Sequence, residues 1–226
     1  MDILKSLVHA LWQQDFETLA DPTLVWTLYL ILFVILFLEN GLLPAAFLPG
    51  DSLLILVGVL IAKGTMNFPL TLLILTAAAS LGSWISYIQG KWLGNTRMVQ
   101  SWLSHLPAQY HQRSHSLFYR HGLSALLIGR FVAFVRTLLP TIAGLAGLSD
   151  TRFQLFNWLS AFIWVFILTT VGFLLGKTAL FKHYEDELML GLMLLPLIFL
   201  VMGLVGSLLI LWRKKRATDA VKRLRK

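Results

Sequence analysis

Two apolar stretches of this chain are interrupted by proline and glycine, and each carries a pair of charges where a plain membrane span has none. Glu39-Asn-Gly-Leu-Leu-Pro44-Ala-Ala-Phe-Leu-Pro49-Gly50-Asp51 holds two acids, and Gly129-Arg130-Phe-Val-Ala-Phe-Val-Arg136-Thr-Leu-Leu-Pro140-Thr-Ile-Ala-Gly144 holds two bases. Ionisable groups and non-helical backbone at membrane depth are costly unless they line a protein-enclosed or watery cavity. A pair of such segments is therefore the first place to look for a transport site.

The surroundings are those of a polytopic membrane protein. Of 226 residues 57% are apolar and 13% charged, and the mean hydropathy is +0.74. Cysteine is absent, which removes disulfides, thiolate metal sites and cysteine nucleophiles. The net charge of +8 is concentrated from Arg213 onward, where eight basic residues face one acid, Asp219. A basic tail following an apolar span reads as a cytoplasmic flank that touches anionic lipid. Without interleaved aromatics or a binding fold beside it, it does not read as a nucleic-acid site.

Along the chain, residues 1–20 place Ile3, Leu4, Leu7, Val8, Leu11, Trp12, Phe16 and Leu19 at helical spacing, predicting an amphipathic helix on the membrane surface. A first repeat over residues 21–94 starts with an Asp21-Pro22 cap and a span from Thr23 to Leu38. A re-entrant hairpin follows, made of Glu39 to Pro49 and Leu53 to Ala62 with Pro49-Gly50 at its tip, then a span from Pro69 to about Lys91. Neither arm has the roughly 20 residues needed to cross a bilayer. Residues 95–121 form a basic cytoplasmic linker. A second repeat over 122–178 holds a hairpin broken at Pro140 and Gly144 and a span from about Phe153 to Gly176. Residues 179–212 carry a C-terminal span, and 213–226 the basic tail. With that tail fixed in the cytoplasm, the positive-inside rule makes the linker and N-terminus cytoplasmic and sends the two hairpins in from opposite sides.

A short internal match supports this duplication. Gly90-Lys-Trp-Leu-Gly94-Asn-Thr96 and Gly172-Phe-Leu-Leu-Gly176-Lys-Thr178 both fit Gly-x-x-Leu-Gly-x-Thr, and each ends the span after a hairpin. The expected fold is an all-α inverted repeat with two re-entrant helical hairpins, a known plan among secondary transporters.

Glu39 and Asp51 qualify as proton carriers, because burial favours the neutral form of a carboxyl group. Asp51 capping the helix that starts at Ser52, and Glu39 sitting among headgroups, are the plainer alternatives. Arg130 and Arg136 keep their charge at any accessible pH and at depth call for anionic partners, which are the two carboxylates or a bound substrate such as a phosphate. Six residues apart on a helix places them about 120° from each other, so they either clasp a ligand from two sides or do different jobs. His105, His111, His115 and His121 lie in the basic linker with no carboxylate near, and read as a solvated face rather than a metal site. Intramembrane aspartyl-protease and rhomboid motifs are missing, so no enzymatic chemistry and no cofactor beyond a coupling proton are expected.

These segments resemble the DedA family of membrane proteins, through Phe47-Leu-Pro-Gly-Asp51 with the Glu39 region, the run from Gly129 to Pro140, and Ala143-Gly144. The resemblance spans nearly the whole chain. It implies a bacterial inner-membrane transporter that depends on the proton motive force and supports envelope integrity, with Glu39, Asp51, Arg130 and Arg136 at the family's functional positions. Membrane lipids and an anionic lipid phosphate such as undecaprenyl phosphate, or a small molecule, are the implied partners, and homo-oligomerisation is left open. A proton antiporter for small cations or drugs and a non-transporting scaffold for envelope assembly are the rival readings.

Overall fold

The computed structural model describes residues 9, 21–42, 50–94, 127–178, 181, 183, 188, 190, 191, 194, 198 and 201. The surface helix of residues 1–20, the linker, the C-terminal span, the basic tail, Pro44 and Pro49 fall wholly or almost wholly outside them. Among the described residues the chain is helical, and five helices organise it: α1 (Pro22–Gly41), α2 (Gly50–Ala62), α3 (Phe68–Gly94), α4 (Ala133–Leu145) and α5 (Asp150–Lys177). Helices α1, α3 and α5 have 20, 27 and 28 residues and are long and apolar enough to cross a membrane. Helices α2 and α4 have 13 residues each, which at 1.5 Å per residue is about 20 Å and short of a bilayer core.

The start of α1 follows from its sequence. Pro22 occupies the first turn and the Asp21 carboxylate accepts the Thr23 N–H at 2.8 Å. The helix then runs without interruption through Glu39 and Asn40 to Gly41, so Glu39 belongs to its last turn and not to a separate hairpin arm. Contacts with α3 fix its direction. The Tyr29 hydroxyl lies 3.1 Å from the Thr71 hydroxyl, the Ser86 hydroxyl donates to the Asn40 carbonyl at 3.0 Å, and Gly41 packs on the Gly82 backbone. Residue numbers rise together on both helices, so α1 and α3 are parallel and α1 ends beside the middle of α3.

That differs from a complete span followed by an out-and-back hairpin, which sets these two helices antiparallel. The difference arises because the chain reverses immediately after α1: Gly50 at the start of α2 lies against the Glu39 carboxylate. Helices α1 and α2 are thus the two limbs of the reversal. A turn with Gly64 at φ 84° then delivers the chain to α3.

Helix α5 runs opposite to α3. Asp150 bonds Lys91 at 2.8 Å, Asn157 donates to the Ser80 carbonyl at 2.9 Å, and the Phe173 and Phe68 rings lie 5.9 Å apart. The short helices each follow one long partner through glycines. A methyl added at Gly90 would overlap the Thr141 carbonyl, one at Gly144 the Tyr87 carbonyl, and Gly94 faces Leu145. On the other side, Gly172 abuts the Ile55 carbonyl, Gly58 the Thr169 carbonyl, and Gly176 faces Val59. The intervals between contacting residues are the same in both sets, and the repeated Gly-x-x-Leu-Gly-x-Thr motif supplies the two long-helix glycines in each. Helix α4 therefore lies along the last part of α3, and α2 along the last part of α5, so the short helices leave the centre toward opposite ends.

The backbones approach so closely at these glycines that a side chain has nowhere to go. Gly172→Val is expected to cost about 3 kcal/mol through overpacking, seen as a lower melting midpoint and yield of the detergent-purified protein. Gly191→Ala, where nothing lies within 4 Å of the added methyl, is expected to leave both unchanged.

Two expected breaks are inside α4. Pro140 and Gly144 both sit within the helix; the proline removes one N–H, which leaves the Arg136 carbonyl without its usual intrahelical donor, and Gly144 serves the contact with Tyr87. The chain bends earlier, over residues 130–132, with Val132 extended at φ −111°, ψ 109°, and later at Gly147 with φ 71°.

Candidate functional site

The charges meet where α1 ends and the two short helices begin. Arg136, in the first turn of α4, reaches both acids: its Nη1 bonds Asp51 Oδ1 in the first turn of α2 at 2.6 Å, and its Nη2 bonds Glu39 Oε1 in the last turn of α1. The Arg136 and Glu39 side chains are 2% and 0% exposed, whereas Asp51 is 42% exposed. A carboxylate and a guanidinium buried this completely depend on each other, since removing either leaves an uncompensated charge. Gly50 is required at the start of α2 because a side chain there would fall on the Glu39 carboxylate. The N-terminal ends of α2 and α4, which carry partial positive charge, both face this centre.

Trp164 of α5 completes the group. Its Nε1 donates to Asp51 Oδ1 at 3.0 Å, and its ring lies 4.7 Å from the Arg136 guanidinium carbon. The guanidinium is held by two carboxylates and an aromatic face, and its Nε has no partner among the described residues.

Arg130 does a different job. Its Nη1 donates to the Asn157 carbonyl at 3.1 Å, Asn157 Oδ1 at 3.2 Å and Ser160 Oγ at 2.8 Å. Its Nη2 donates to the Ala79 carbonyl and to Ser83 Oγ, both at 3.1 Å. All five acceptors are neutral, so among the described residues this buried arginine has hydrogen bonds but no anionic partner, contrary to the expectation for both arginines. It fastens α3 to α5 at their crossing. The structure thus brings Glu39, Asp51, Arg136 and Gly50 into one contact group and seats Arg130 in a polar cage. Pro140 and Gly144 lie along α4, outside the ion-pair contacts.

Asn157, Ser160 and Ser83 were legible in principle. Each is a polar residue in an otherwise apolar span, and Asn157 and Ser160 are one helical turn apart. Trp164 carries no such signal, being an apolar residue in an apolar run.

A model of the VTT domain matches residues 48–174, from just before α2 almost to the end of α5, which includes Asp51, Arg130, Arg136 and Trp164 and starts after Glu39. Inner membrane protein YqjA of Escherichia coli K12 is 71% identical over 95% of this chain and 98% of its own length. Inner membrane protein YghB of the same strain is 58% identical over the same shares, and protein DedA is 30% identical over 88% of each chain. No solved structure matches. With relatives named as inner membrane proteins, three helices fit to cross a bilayer and a domain match over more than half its length, the chain belongs to the DedA family of VTT-domain membrane proteins.

Proposed function

We propose that this protein is a proton-driven inner-membrane carrier of an anionic lipid phosphate, the class exemplified by undecaprenyl phosphate, and that Arg136 exchanges its two carboxylates for the substrate. The observation that carries this reading is the single guanidinium held between the buried Glu39 and the more exposed Asp51. Arginine keeps its charge when the carboxylates take up protons. It then needs another anion, and a phosphate offers several acceptor oxygens in a geometry that suits a guanidinium. An anion arriving without protons meets two negative carboxylates instead. Proton uptake and anion binding are therefore coupled through one side chain, and Asp51, the more exposed acid, is the point of proton entry.

The fold supports the same reading. Two short helices that start at one buried charged centre and leave toward opposite ends of long helices suit re-entrant hairpins entering from opposite sides. The matching glycine contacts suit an inverted duplication, with the basic C-terminal tail in the cytoplasm. The parallel course of α1 and α3 starts both helices on the side opposite the linker, which leaves no ground for placing the N-terminus in the cytoplasm. A cation antiporter is less well served, because both carboxylates already hold Arg136 and a cation has to displace it.

Purified protein in liposomes with an imposed pH gradient, assayed for lipid-phosphate translocation and for cation exchange, tests this. Gradient-driven translocation abolished by Arg136→Ala is the expected result. Cation flux without translocation would favour the antiporter, and absence of both would favour a structural role in envelope assembly.

A further inference from the structure

We infer that Trp164 is a positioning residue of this centre: its indole N–H holds Asp51, and its ring holds the Arg136 guanidinium, in the ion-paired arrangement. Trp164 is 1% exposed, so its N–H cannot rely on water and must find a partner inside the protein. The partner is Asp51 Oδ1, the same oxygen that accepts from Arg136 at 2.6 Å. A donor aimed at a carboxylate makes a charge-assisted hydrogen bond, stronger than one between neutral groups. The ring does a second job on the cation, lying 4.7 Å from its centre, within the range of a cation–π contact.

The fold makes Trp164 the fixed member of the group. Helix α5 is clamped to α2 by the Gly172–Ile55 and Gly58–Thr169 backbone contacts, so Trp164 and Asp51 share one packed pair of helices. Arg136 arrives from α4, which is clamped to α3 through Gly90 and Gly144. The Asp51–Arg136 bond therefore joins the two helix pairs, and Trp164 touches both of its ends. The charged groups around it among the described residues are Glu39 from α1, Arg136 from α4, and Arg130 in its own cage before α4. The polar contacts that α3 and the rest of α5 bring to this cage are neutral: Ser80, Ser83, Asn157 and Ser160.

A tryptophan that only filled the core would have its loss felt equally with and without the Asp51 carboxylate. Benzothienylalanine at position 164 keeps the bicyclic ring and replaces the N–H by sulfur, so it removes the hydrogen bond with packing retained and lowers the melting midpoint of the full-length protein in detergent by roughly 5 °C. In an Asp51→Ala background the same change lowers it by less than half as much, because the acceptor is gone. Trp164→Phe, which removes the same donor, shows the same dependence on Asp51. An equal drop in both backgrounds, or no drop in either, overturns the assignment.

The consequence for transport rests on the carrier reading. Lipid-phosphate translocation per folded protein is altered in the benzothienylalanine variant, because the same Asp51–Arg136 bond has to open when Arg136 takes the substrate. If the parental protein translocates nothing while the melting shift stands, the carrier reading fails and the positioning role survives.

Discussion

Arg136→Gln is expected to abolish gradient-driven transport and to lower the melting midpoint at neutral pH by roughly 10 °C. The size follows from what is left behind. Glu39 is 0% exposed and bonds Arg136 directly; without it a buried carboxylate faces Asp51 with no cation between them, at a cost of about 3–5 kcal/mol, and 1 kcal/mol shifts the midpoint by roughly 2–4 °C for a chain of this size. The sign of the pH dependence separates this from simple loss of packing. A protonated Glu39 needs no counter-charge, so the deficit of Arg136→Gln relative to the parental protein shrinks as pH falls. Glu39→Gln combined with Arg136→Gln should recover much of the lost stability at neutral pH, because two neutral amides can hydrogen-bond where an unpaired carboxylate cannot rest. Transport is not recovered in the double variant, since the anion-binding guanidinium is absent and Asp51 is the one acid left. Melting in detergent and translocation in liposomes, measured on the same three proteins, check both halves. An equal deficit at pH 5 and pH 8 would remove the ion pair from the explanation.

The residues of the centre were legible because each is an ionisable group in an apolar run, where placement is too costly to be incidental. Their partners were not. The six-residue interval from Arg130 to Arg136 indicates different faces, but only the tertiary arrangement assigns both carboxylates to Arg136 and five neutral oxygens to Arg130. The direction of α1 was illegible for a related reason. Twenty apolar residues satisfy the length of a span whether or not the helix reaches the far side, and the contact of Gly41 with Gly82 that ends it beside the middle of α3 is a packing fact. Pro140 misled because proline removes one hydrogen bond without compelling a break, and α4 carries on for five residues beyond it. The seven-residue glycine motif was visible as a repeat, and what it does in the structure is bring each long helix against a short one. Trp164 left no trace, because hydropathy does not distinguish an indole that fills space from one that donates to a carboxylate.

Arg130→Lys separates the two arginines. A lysine keeps the charge, so a site that needs only a cation tolerates it, but the ammonium is one point with three donors where the guanidinium spans a fork of five. The cage requires the fork: Nη1 serves Asn157 and Ser160 on α5 while Nη2 serves Ala79 and Ser83 on α3. No single ammonium position satisfies both walls, and at least two buried acceptors lose their donor, at about 1–3 kcal/mol each. The expected result is a fall in melting midpoint of roughly 10 °C with transport lost in proportion to folded protein. Since no carboxylate among the described residues faces this guanidinium, the deficit stays level across pH, where that of Arg136→Gln shrinks toward acid. Asn157→Ala should reproduce part of the loss with the same flat profile, because Asn157 both accepts from Arg130 and donates to the Ser80 carbonyl at 2.9 Å. A folded Arg130→Lys protein that melts like the parental one and still fails to transport would move Arg130 from the framework to the substrate path.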